Sequence, residues 1–66
     1  MSYAKKLVSY SLAGANSPFN FTMNSTTGRI IVPEGVPVGT ELRYVERQHF
    51  SDGTYEDSEW LTFVVK

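Results

Sequence analysis

The chain has 66 residues, no cysteine, one histidine and a formal net charge of −1. A chain this short buries only about 60% of the surface its unfolded form exposes, and neither a disulfide nor a cysteine-based zinc site is on hand to reinforce the core. The near-neutral balance gives no concentrated basic surface for nucleic acid, no apolar run nears the roughly 20 residues of a membrane helix, and no hydrophobic signal core follows Lys5 and Lys6.

The charge is unevenly divided. Up to Pro33 there are Lys5, Lys6 and Arg29 without an acid, a balance of +3; from Glu34 onward seven acids oppose Arg43, Arg47 and Lys66, a balance of −4. Such halves attract each other inside one fold, or they make a polar particle that docks directionally. A single small domain over 1–66 is expected, with residues 1–4 as a flexible N-terminus.

From Lys5 to Leu12 apolar and polar residues alternate, with Val8, Tyr10 and Leu12 on one face, which predicts a half-buried strand. Gly14 to Pro18 breaks it. Phe19, Phe21 and Met23 then recur at a spacing of two and predict a short strand with an aromatic inner face. Asn24-Ser25-Thr26-Thr27-Gly28 reads as a tight turn, with Gly28 at the position needing φ > 0. Arg29-Ile30-Ile31-Val32 is the partner strand of that hairpin. Pro33 to Gly39 holds two prolines and two glycines and reads as a rigid exposed connection, with Val36 and Val38 as candidate anchors.

The last stretch, Thr40 to Lys66, reads as two long strands folded about Ser51-Asp52-Gly53-Thr54. Asp-Gly is a strong signal for a two-residue type I′ turn. That register sets Phe50 opposite Tyr55, His49 opposite Glu56, Tyr44 opposite Leu61 and Leu42 opposite Phe63. Leu42, Tyr44, Leu61 and Phe63 then form an inner face answered by Tyr10, Phe19, Phe21 and Ile30. No stretch shows helical periodicity. The expected class is all-β, with about five strands in a small antiparallel sandwich or open barrel.

In chain order, Tyr10-Ser11-Leu12, Phe19-Asn20-Phe21-Thr22-Met23-Asn24 and Ser25-Thr26-Thr27-Gly28-Arg29-Ile30 resemble the cadherin-like and immunoglobulin-like β-sandwich modules of bacterial surface proteins. Pro37-Val38-Gly39-Thr40, Ser51-Asp52-Gly53-Thr54 and a valine-rich last strand continue the likeness, over roughly residues 8 to 65. The resemblance implies a seven-stranded sandwich of which the first two strands are missing here, leaving an open edge. It also implies an adhesion or spacer role and an extracellular or virion-associated place. The calcium-binding acidic motifs of animal cadherins are absent, and Asp52, Glu56, Asp57 and Glu59 read better as a solvated, edge-protecting cluster. No metal or cofactor is expected.

Nothing in the chain points to catalysis. His49 is the one imidazole, no Gly-x-Ser-x-Gly elbow is present, and no helix exists to follow a phosphate-binding loop. Two glycosylation sequons, at Asn20 and Asn24, read as chance in a Ser/Thr/Asn-rich segment.

The aromatic residues weigh more. Trp60 stands opposite Val45 on the outer face, with Val64, Arg43 and Arg47 on the same side and Tyr55 at the tip. A contiguous exposed apolar patch marks an interface, and Trp, Tyr and Arg are the usual anchors of protein contacts. The alternative is an inverted face, with Trp60 in the core. The reading that follows is a non-enzymatic module that self-associates or joins a larger protein assembly. A small carbohydrate-binding module using Tyr55 and Trp60 is the second.

Overall fold

The computed structural model describes residues 5–66; the expected flexibility of residues 1–4 lies outside the described residues. Six strands follow one another: β1 (Leu7–Asn16), β2 (Thr22–Met23), β3 (Ile30–Ile31), β4 (Glu41–Phe50), β5 (Tyr55–Asp57) and β6 (Leu61–Val64). The protein is all-β and antiparallel, in two open sheets not closed into a barrel. Central β4 carries β1 on one side and β5 and β6 end to end on the other; β2 and β3 form a separate hairpin. The molecule is elongated, 51 × 19 × 15 Å, with a radius of gyration of 13.8 Å.

The long last hairpin forms because its base is pinned by apolar pairs. Leu42 pairs with Phe63 and Tyr44 with Leu61, as the alternation requires. Toward the tip the register differs by one residue from the sequence expectation: His49 pairs with Tyr55, Gln48 with Glu56 and Arg47 with Asp57. The turn holds three residues rather than two. The Gly53 N–H donates to the Phe50 carbonyl at 3.1 Å and the Phe50 N–H to the Thr54 carbonyl at 2.9 Å. Only Gly53 has positive φ, at 87°, while Asp52 does not. A type I′ turn needs both, so this is the three-residue form that ends on a left-handed glycine.

The one-residue shift is absorbed between β5 and β6. Glu59 and Trp60 together stand opposite Val45, a β-bulge that adds a residue to one side of the pair. Ser58 closes the ladder beside it. Its N–H donates to the Glu46 carbonyl at 2.8 Å, and its hydroxyl accepts the Glu46 N–H at 3.0 Å. β1 bulges too, at Val8 and again at Ala13, the latter facing the same part of β4. The second bulge lets β1 run on through Gly14 to Asn16, where the sequence predicted a break.

The β2–β3 hairpin lies over one end of the inner face. Asn24 Oδ1 accepts the N–H groups of Thr26 and Thr27, which shapes its turn. Gly28 takes φ 74°, as expected, and a Cβ there would stand 3.0 Å from the Tyr10 ring. The turn leans on β1, whose Tyr10 N–H donates to the Ser25 carbonyl at 2.8 Å. Phe21, Leu42 and Val65 are buried, with Leu12, Ile30, Val32, Val36, Tyr44 and Phe63 packed around them. Phe21 meets Tyr44 edge-on, ring centroids 6.2 Å apart, the arrangement their ring quadrupoles favour.

Several sequence expectations fail in detail, among them Val8, expected on a buried face and 60% exposed at a bulge. Phe19 and Leu61 stay largely outside the core, and Val38 is 78% exposed instead of anchoring its loop. Pro18 sends the chain out at Phe19, so β2 starts only at Thr22. Val65, passed over in the sequence, enters the core because the ladder continues past β6. The Val65 N–H donates to Thr40 and its carbonyl accepts from Gly39.

Candidate functional site

The face of β4 turned away from the β2–β3 hairpin carries Glu41, Arg43, Val45, Arg47 and His49, since side chains alternate along a strand. Cross-strand partners extend this face into five rungs. From the base they are Glu41 with Val64; Asn16, Arg43 and Thr62; Gly14, Val45 and Trp60; Ser11, Arg47 and Asp57; and Ser9, His49 and Tyr55. All six sequence candidates, Arg43, Val45, Arg47, Tyr55, Trp60 and Val64, therefore share one face. Tyr55 joins them only because of the register shift. The two-residue turn would have put it beside Phe50 on the other side.

Trp60 is 53% exposed and Tyr55 55% exposed, so the inverted-face alternative does not hold. The Trp60 indole reaches across β4. Its Cη2 comes within 3.6 Å of where a Gly14 Cβ would stand, two strands away, with Val45 Cγ2 beside it. Neighbouring strands are about 4.8 Å apart, so the ring spans the sheet and leaves its upper side to solvent.

Beside this platform the charges are ordered. Arg47 grips Asp57 with two hydrogen bonds, Nε to Oδ1 at 2.7 Å and Nη2 to Oδ2 at 3.0 Å. Its guanidinium also lies 4.0 Å from the Tyr55 ring centroid. The Arg47 hydrogen bonds hold the Asp57 carboxyl below the usual carboxylate range, and the Asp57 hydrogen bond raises Arg47 further. This fork-on-fork geometry fixes both side chains in place.

His49 does not meet Glu56. Its Nε2 and the Ser11 hydroxyl share a hydrogen bond of 2.7 Å across β1 and β4. A hydroxyl against an imidazole is two thirds of a hydrolytic triad, and the sequence reading missed it because β1's register is set by its bulges. The nearest carboxylate on the face, Asp57, has both oxygens engaged by Arg47. The pair also sits on an open sheet. Glu56 instead pairs with Lys5 at 3.6 Å, and Lys5 lies 4.4 Å over the Phe50 ring. Among the described residues no group of three or more His, Asp or Glu side chains is placed to hold a metal ion.

The sequence reading did not single out an open apolar groove at the base. It has a volume of about 450 Å³ and is lined by Val32, Pro33, Val36, Phe63 and Val65 together with the charged Glu34 and Lys66, with Val64 the one outer-face candidate among them. It is where the short β2–β3 layer stops covering the sheet. Compared with family models, with curated proteins and with solved structures, the chain gives no match.

Proposed function

We propose that the chain is a non-enzymatic interaction module, immunoglobulin-like in its two-layer plan, which works through protein contact in an assembly or in adhesion at a cell surface or on a virus particle. One observation carries the reading. An exposed Trp and Tyr and two arginines lie on a single sheet face that no described part of the chain covers. Aromatic residues and arginine are enriched in protein interfaces, and Trp60, Tyr55, Arg43 and Arg47 share this face.

Light scattering from 10 µM to 1 mM tests the reading. The expected mass exceeds 7.4 kDa; a monomer throughout, with the emission of Trp60 unchanged, contradicts self-association. The exposed indole also suits stacking on a sugar ring. That second reading is favoured if soluble oligosaccharides shift the emission of Trp60 and rising protein concentration does not.

A further inference from the structure

We infer that the junction of Asp52 and Gly53 is a site of spontaneous backbone modification, the isomerisation of Asp52 through a cyclic imide, and that Thr54 is the residue that holds its rate down.

The chemistry needs a carboxyl one carbon from the main chain and, next in the chain, an amide nitrogen open to attack. Gly53 supplies that nitrogen with no Cβ beside it, and Asp52, Gly53 and Thr54 are all exposed at the hairpin tip. In the first step the Gly53 nitrogen bonds to the Asp52 Cγ. The hydroxyl of the neutral carboxyl and the amide proton leave together as water. In the second step water opens the five-membered ring. Breaking the original bond between the Asp52 main-chain carbonyl carbon and the Gly53 nitrogen routes the chain through Cβ and Cγ. The product has one more backbone atom and a free α-carboxylate, and water is the sole reagent.

The folded turn opposes the first step at both reacting groups. The neutral carboxyl is the form attacked, and Thr54 bonds to the ionised one. Asp52 Oδ1 accepts the Thr54 hydroxyl and, at 3.0 Å, the Thr54 N–H. Hydrogen bonds to the charged form favour it, and these hold the Asp52 carboxyl below the usual aspartate range. The nitrogen is tied as well. The Gly53 N–H donates to the Phe50 carbonyl at 3.1 Å, a bond that attack on Cγ must break.

The product does not fit the turn. Its carboxylate leaves the place where Thr54 donates, and the added atom carries Gly53 away from the Phe50 carbonyl. Tyr55 follows at once and opens the short β5 ladder opposite His49. Isomerisation therefore loosens the end of the outer face that carries Tyr55.

The full chain incubated at neutral pH and physiological temperature tests this, with isoaspartate measured by enzymatic methylation and placed by electron-transfer fragmentation. Isoaspartate is expected at position 52 without a change in mass, forming at least tenfold faster in guanidinium chloride than in the folded chain. Thr54→Val keeps the N–H and loses the hydroxyl. It is expected to raise the folded rate at least threefold with the far-ultraviolet circular dichroism unchanged, and Thr54→Ser to stay near the wild-type rate. No isoaspartate at position 52 in the denatured chain overturns the site. Equal rates in folded and denatured chain, or in Thr54→Val and wild type, overturn the restraint assigned to the turn and to Thr54.

Discussion

Two glycines on β1 and beside it should respond oppositely to the same change. Gly28 has φ 74° and the Tyr10 ring 3.0 Å from any added Cβ. Gly28→Ala is therefore expected to cost about 1–3 kcal/mol, from the left-handed backbone and the ring that must move. At Gly14 a Cβ would sit in ordinary contact with Trp60 at 3.6 Å. Gly14→Ala is expected to stabilise by about 0.5–1 kcal/mol, because the unfolded chain loses freedom and no clash arises. Urea midpoints for the two variants, read with unchanged slopes, check both signs. Among the described residues Leu42 is the one fully buried large side chain. Leu42→Ala is expected to remove about 2–5 kcal/mol, comparable to the whole stability of a domain this size, so its amide spectrum should collapse to that of an unfolded chain.

At the scale of the elements, the junction of β5 and β6 depends on Ser58 standing in for a broken ladder. Ser58→Ala removes the acceptor for the Glu46 N–H and is expected to cost about 1 kcal/mol, with faster amide exchange at Glu46. The tip of the hairpin sets the acid limit. Hydrogen bonds from Thr54 lower the Asp52 carboxyl and those from Arg47 lower Asp57. A depressed folded-state pKa means the unfolded chain binds more protons, so this stabilisation is present above the ordinary aspartate range and is lost as pH falls through the folded values. Burial raises the Tyr44 phenol. The stabilisation of its neutral form is present below the ordinary tyrosine range and lost as pH rises through the folded value. Urea midpoints between pH 2 and 11 should fall at both ends, and Asp57→Asn should flatten the acid limb.

The same elements show why some of the fold was legible and some was not. The base of the long hairpin was readable because Leu42, Tyr44, Leu61 and Phe63 are apolar, and a slipped register would expose them. Toward the tip polar and charged residues fill both faces apart from Phe50 and Tyr55, and that pattern did not fix the pairing. The extra turn residue and the bulge at Glu59 and Trp60 left no trace in a period of two. Gly14 misled in the same way. Glycine in a strand marks a bulge as readily as an end, and here it marks a bulge. The face bearing Arg43, Val45, Arg47, Trp60 and Val64 was legible from the base register alone. Tyr55's place on it, and the Ser11–His49 bond, depended on shifts that only the folded chain reveals.

For the whole molecule, the elongated shape follows from the proportions of its layers. A ten-residue central strand is covered on one face by a hairpin whose paired strands are two residues each. The radius of gyration of 13.8 Å stands against about 11 Å for a compact chain of this length. The charge division noted in the sequence is partly answered within the chain, where Lys5 near the start meets Glu56 near the end. The outer face is not answered by any described residue, and Trp60 reports on it directly as the chain's single tryptophan. The most direct measurement is acrylamide quenching of Trp60 across a concentration series. If the face is a protein contact, the quenching constant should fall at least twofold between 10 µM and 1 mM as a partner covers the indole. A constant that stays at the value of an exposed tryptophan over that range would contradict self-association through this face.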